Sequence, residues 1–144
     1  MTFKSVDEIK RYIVNKIPTA VEIAMKDVWK IMDEGLEGFY GEYHPTWYDR
    51  TNQLRTSLVD PEVVANGNGA VGRLYYNAGR MSYSTGVQPS GELVLSTAMM
   101  GGHGAYGLKV IKGTPVWSKV YVNVASQIND IVKRALVSSG LPVR

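Results

Sequence analysis

The sequence predicts an α+β fold in which a small antiparallel sheet packs with a long N-terminal helix, kinked or divided in two, and a long C-terminal helix. Three observations carry this: an apolar stripe at helical spacing from Val6 to Met32, an Asn-Gly turn between two strand-like runs at 63–76, and a second helical stripe from Val120 to Leu136.

The first helix opens at Ser5-Val6-Asp7-Glu8, where the Ser5 hydroxyl can accept from the Glu8 amide and the Glu8 carboxylate can reach back as in a capping box. Val6, Ile9, Ile13, Ile17, Val21, Ala24, Val28, Ile31 and Met32 then recur at steps of three and four, which places them on one face. Pro18 interrupts the stripe without shifting its phase. Because proline lacks a donor and crowds the preceding turn, two helices or one kinked helix are expected to meet near Ile17. Gly35 and Gly38 mark the expected end, ahead of Phe39, Tyr40 and Tyr43.

From Leu54 the pattern changes to residues suited to strands: Thr56, Leu58 and Val59, then Val63-Val64-Ala65, the turn Asn66-Gly67-Asn68-Gly69, and Ala70 to Tyr76. Pro61 belongs at a bend or an edge, since it cannot donate to a ladder. Gly79 to Gly91 reads as a long exposed loop holding one short strand at Tyr83 to Val87. Glu92 to Met100 can form a short helix, stopped by Gly101-Gly102, and His103 to Gly107 is a flexible glycine turn. Leu108, Val110 and Ile111 alternate weakly before Gly113-Thr114-Pro115. In the last helix Val120, Val124, Ile128, Ile131, Val132, Ala135 and Leu136 share a face, Lys133 and Arg134 suit the negative end of the dipole, and Gly140 ends the run.

With 144 residues, 44% of them hydrophobic, the chain has the size and apolar content of one domain spanning 1–144. There is no cysteine, which excludes disulfides, thiolate metal sites and a cysteine nucleophile. The first residues lack the apolar stretch of a signal peptide, and no apolar run has the length that spans a bilayer, so a soluble protein assembled in the cytoplasm is expected. The net charge of +3 conceals a polarity: residues 1–42 hold six Lys or Arg against eight Asp or Glu, whereas residues 109–144 hold six against one. An acidic head and a basic tail favour head-to-tail packing of identical subunits or a differently charged partner, although two solvated faces of unlike charge would look the same.

The chemistry-bearing residues are sparse. His44 and His103 are the two histidines, neither set in an i, i+4 pair; Ser57 and Asp49 could be sketched with a histidine as a Ser-His-Asp arrangement, but no Gly-x-Ser-x-Gly elbow surrounds any serine, so neither hydrolysis nor a metal site is expected. The glycines after Met100 match neither nucleotide-binding fingerprint. No catalytic residue, cofactor or metal is therefore expected. The densest constellation is Trp47 to Leu58, which interleaves aromatic, hydroxyl and paired basic residues; Arg50 and Arg55 offer bidentate contact to carboxylate or phosphate. They could hold a neighbouring subunit, an acid of their own chain such as Asp49, Asp60 or Glu62, or DNA.

Within that constellation, Tyr48, Arg50, Thr51, Leu54, Arg55 and Ser57 form the pattern Tyr-x-Arg-Thr-x-x-Leu-Arg-x-Ser. This pattern resembles the minor head-tail component family of long-tailed bacteriophages, neck and tail-completion proteins that join capsid to tail. The family usually has Thr-Gly where this chain has Thr51-Asn52, and asparagine is the next-best residue where φ must be positive. The His103-Gly104 pair after a short helix, and the last helix with Ala135-Leu136 and Gly140-Leu141, extend the likeness over most of the chain. The resemblance implies a structural protein of the virion neck, assembled in the host cytoplasm into a six- or twelve-fold ring, with the hexamer preferred. Its implied partners are further copies of itself, the connector or adaptor, the tail terminator or tail tube, and packaged DNA in the channel, with no membrane. The implied assembly contacts are Tyr48, Arg50, Thr51, Leu54, Arg55, Ser57, Arg80 and His103. The alternatives are a tail terminator or other tail-tube-end protein, and a small basic nucleic-acid-binding protein suggested by the sequence pI of about 9.1.

Overall fold

The computed structural model describes residues 2–44, 52–82, 90–103 and 111–143. It is a mixed helical and sheet protein with a long N-terminal helix, a two-stranded antiparallel sheet and a long C-terminal helix. In chain order these are α1 (Val6–Gly41), α2 (Gln53–Thr56), β1 (Glu62–Asn66), β2 (Gly69–Arg73), a 3₁₀ turn (Ala78–Arg80), α3 (Gly91–Met99), β3 (Gly102–His103), β4 (Ile111–Lys112) and α4 (Val116–Ser138). The expected strand at Tyr83 to Val87 lies outside the described residues.

The chain divides into two compact units, one made of residues 1–29, 60–74 and 126–144, the other of 30–59 and 75–125; α1 and α4 each contribute to both.

Half of the expected capping box forms at the start of α1. The Glu8 amide donates to Ser5 Oγ at 3.2 Å, but the Glu8 carboxylate accepts from the Lys4 amide at 2.7 Å instead of the Ser5 amide. The helix then runs through Pro18 as a single 36-residue element, so of the two arrangements the sequence leaves open near Ile17 it is one continuous helix and not two. It also passes Gly35 and Gly38. Gly35 is fully inside the second unit, where a Cβ would stand 2.8 Å from Val120 Cγ2 of α4, so glycine here permits close helix packing and does not terminate the helix. The apolar stripe is not buried along its whole length: Val6, Ile9 and Ile13 remain exposed, whereas Ala20, Ile31, Met32, Leu36 and Phe39 are core.

In the first unit, β1 and β2 form a hairpin with Val64 opposite Val71 and Glu62 opposite Arg73. Gly67 has φ +56° and Asn68 a negative φ, the arrangement of a type II′ loop that matches the strand twist. Gly72 lies against α1; a Cβ there would be 2.5 Å from Met25 Cγ. The β2 strand stops at Arg73, short of the expected Tyr75-Tyr76. The end of α4 is closed by a Schellman motif: Gly140 has φ +91°, its amide donates to Val137 O at 3.0 Å, and the Leu141 amide donates to Leu136 O at 2.9 Å. The Tyr12 hydroxyl donates to Gly140 O at 3.0 Å, and Arg134 Nη2 meets Asp27 Oδ2 at 3.3 Å, so the C-terminal end of α4 is tied to α1 at two points.

The second unit buries Ile31, Met32, Leu36 and Phe39 of α1 with Leu54, Leu58, Val59, Met81, Ala98, Val116 and Val120. The Ser90 hydroxyl caps α3 by accepting from the Leu93 amide at 3.2 Å. Past α3, Gly101 at φ +82° turns the chain so closely against Gly113 that no Cβ would fit, and the Gly113 amide donates to Gly101 O at 2.6 Å. The backbone of His103, expected in a flexible glycine turn, instead belongs to the short β3–β4 ladder opposite Ile111. The buried face of α4 is Val116, Val120, Ile131 and Ala135; Ile128 and Val132, placed on that face by the sequence periodicity, are exposed.

Two substitutions on α1 separate packing from propensity. Gly35→Val is expected to lower stability by about 1–3 kcal/mol through overpacking against Val120. Gly38→Ala meets open space apart from the Lys119 amine at 3.5 Å and is expected to raise stability by up to about 1 kcal/mol from helix propensity. Urea denaturation of the two variants checks both signs.

Candidate interaction surface

The described half of the Tyr48 to Ser57 run begins at Asn52, which has a left-handed backbone with φ 55°. The chain then makes a single helical turn, α2, where an extended segment is expected. The reason is local: Asn52 O accepts from the amides of Arg55 and Thr56, at 3.0 and 3.3 Å, and the Ser57 amide donates to Leu54 O at 3.2 Å. Leu54 points into the core. Ser57 is completely buried, and its hydroxyl donates to Leu54 O at 2.6 Å.

Beyond the turn, Leu58 bridges to Tyr76, the Val59 amide donates to Tyr75 O, and the Asn77 amide donates to Ser57 O at 2.7 Å. Arg80 Nη1 donates to Leu58 O at 3.4 Å. The Tyr76 hydroxyl donates to Met32 O at 3.1 Å, and its ionisation is pushed above the ordinary phenol range by burial first and the Asp33 charge second. These bonds join the segment that follows α2 to residues 75–80, and Tyr76 ties that pair to Met32 in the C-terminal half of α1.

Arg55 is spent on the same task. Its Nε and Nη2 donate to Asp33 Oδ1 and Oδ2 at 3.1 and 2.9 Å, a bidentate pair. The hydrogen bonds and charge of Asp33 raise the guanidinium above its usual range. The acid is thus one that a local reading of the sequence misses, since Asp33 stands 22 residues away while Asp49, Asp60 and Glu62 are nearer in sequence.

The expected contact residues accordingly separate. Leu54, Arg55, Ser57 and Arg80 are brought together as an internal brace. His103 contributes to β3 through its backbone. Tyr48, Arg50 and Thr51 lie outside the described residues. Of the sketched serine–histidine–aspartate grouping, Ser57 has its hydroxyl sealed in the core and His44 is exposed. Among the described residues no group of three His, Cys, Asp or Glu side chains could hold a metal, and no helix is long and apolar enough to cross a membrane.

Two features of this unit escape sequence reasoning. The first is Glu42, whose carboxylate accepts from the Thr114 amide at 2.8 Å and from Lys119 Nζ at 2.5 Å. The first turn of α4 has no acid of its own, and Glu42 supplies that negative charge from the end of α1. These bonds hold its carboxyl down at about 2, below the ordinary 4.5. The second is a set of large apolar side chains on α4 that face outward: Trp117, Tyr121 and Val122 are 56, 64 and 62% exposed. The signal was available as an excess of apolar residues over what one buried stripe can hold.

No family model, curated protein or solved structure matches this chain.

The Glu42 carboxyl is depressed on folding, so its stabilisation is complete above pH 4.5 and disappears as pH falls through the window from 4.5 to about 2. Solvent screens a pair this accessible, which limits the effect to about 1 kcal/mol or less. Comparing acid denaturation of the wild type with Glu42→Gln checks this, since the variant lacks that part of the acid sensitivity. For the brace, a double-mutant cycle of Asp33→Ala and Arg55→Ala is expected to give a coupling of about 0.5–1 kcal/mol that shrinks as salt is added.

Proposed function

We propose that this protein is a structural component of a tailed-phage or prophage-derived particle, acting at the neck as a ring subunit that joins the capsid connector to the tail. Its work is assembly and involves no turnover. The observation that carries this reading is the outward face of α4, where Trp117, Tyr121 and Val122 each leave more than half their surface in water. A cluster of large apolar side chains held in solvent on a regular helix suits a subunit completed by a protein partner. The Tyr48 to Ser57 pattern supplies the particular class of assembly. Its described half supports a scaffolding part for that run, because Leu54, Arg55 and Ser57 all serve to fix the segment in place.

A small nucleic-acid-binding protein has less support. Two of the cations on α4, Lys119 and Arg134, are engaged with Glu42 and Asp27 of the same chain, which leaves a thinner basic surface than the sequence charge suggests.

Deleting the reading frame from the phage or prophage that carries it tests the proposal. The expected result, seen by negative-stain microscopy of lysates, is filled heads and separate tails, with joined particles restored by supplying the protein in trans. Normal tailed particles from the deletion strain would overturn the reading.

A further inference from the structure

The loop of the β1–β2 hairpin has two residues, so the flanking pair Asn66 and Gly69 is the one that exchanges hydrogen bonds across the ladder. Alternation from there gives Val64 with Val71, and Glu62 with Arg73, the same inward bonding. Val63 and Ala65 of β1, and Ala70 and Gly72 of β2, therefore aim their amides and carbonyls away from the hairpin, one set along each edge. Among the described residues the sheet has only these two strands, so neither edge meets a third. Side chains sort by face in the same way. Gly72 lies on Val21 and Met25 of α1, while Glu62, Val64, Val71 and Arg73 share the opposite face and are all exposed.

We infer that these edges join copies of this chain, with β1 of one copy adding antiparallel to β2 of the next. The partner follows from charge and register together. Setting Val63 opposite Gly72 and Ala65 opposite Ala70 of the neighbour matches every outward amide with an outward carbonyl. That same register places Glu62 beside Arg73 of the neighbour and Val64 beside its Val71, so the outer face carries alternating charges along one row and valines along another. Pairing β1 with β1 about Val64 sets Glu62 against Asn66, and pairing β2 with β2 about Val71 sets Arg73 against Gly69. Neither of these joins opposite charges. The favoured union uses two different edges, which makes the contact heterologous, the kind that closes into a ring when the rotation between copies allows. This inference rests on the ring reading and names the contact within it.

Proline at an outward position removes only a donor that the hairpin itself does not use. Ala65→Pro should block the β1 edge and Ala70→Pro the β2 edge. In sedimentation velocity the wild type is expected to form higher assemblies at high protein concentration and each variant to stay monomeric. An equimolar mixture of the two should give a dimer that grows no further, since one variant keeps β2 and the other keeps β1. Helical circular dichroism verifies that the variants fold. Charge reversal provides an independent route: Glu62→Arg and Arg73→Glu should each assemble poorly alone and assemble when mixed, although each keeps like charges opposed within its own hairpin. Assembly of Ala65→Pro like the wild type, self-dimers of either proline variant, no rescue on mixing the charge variants, or a wild type that stays monomeric up to its solubility limit would overturn the inference. The ring reading itself fails separately, if the deletion strain yields normal tailed particles.

Discussion

The second unit depends on how closely α4 can approach α1 at Gly35. A side chain there would occupy the space taken by Val120, and the neighbouring Leu36 and Val116 are fully buried at the same contact. Packing at this density leaves no room for a larger residue, so one missing Cβ sets the separation of two long helices. Glu42 then works at the end of α1, joining Thr114 and Lys119 and supplying the charge that the start of α4 lacks. The apolar contact positions the helices, and the exposed ion pair adds a modest, screened contribution to a geometry already fixed.

The same division of labour explains the arginine-bearing run. Its hydrogen-bonding capacity suggests a surface for recognition, yet in the described half the guanidinium of Arg55 goes to Asp33 and the hydroxyl of Ser57 goes to Leu54 O. Leu54 anchors the turn from beneath. A segment whose arginine and serine side chains are engaged within the chain keeps its shape without a partner, which is the condition for presenting adjoining residues in a defined way.

Periodicity made the two long helices and the hairpin legible, because burial on one face writes a repeat of three and four, or of two, into the sequence. The errors share a cause. Gly35 and Gly38 look like terminators by propensity, but the packing of α4 gives Gly35 a steric purpose that only the tertiary structure contains. Thr56 resembles a strand residue, and the turn at Asn52 overrides that tendency with local hydrogen bonds, whereas Leu58 and Val59 do pair in an extended way with Tyr76 and Tyr75. The Asp33 partner of Arg55 is equally hidden, since helix α1 brings it near only after folding. On α4, the choice between Ile131 and its exposed neighbours Ile128 and Val132 is one of phase, and an apolar surplus around the helix blurs that phase.

The polarity of charge along the chain has a different consequence from the one its sequence suggests. Acidic head and basic tail meet within the subunit, through Asp27 with Arg134 in one unit and Glu42 with Lys119 in the other. Charges used in this way contribute less to long-range attraction between copies, because each pair presents a dipole where the separate residues would present full charges. The ring association proposed above would therefore draw mainly on short-range terms. The outward apolar side chains of α4 offer desolvation, the hairpin edges offer unfilled backbone groups, and Glu62 with Arg73 offers a register-specific charge match. Interactions of this kind tolerate salt better than a steered electrostatic encounter, and they reward contact in one orientation only, which is what a closed assembly requires of each repeated joint.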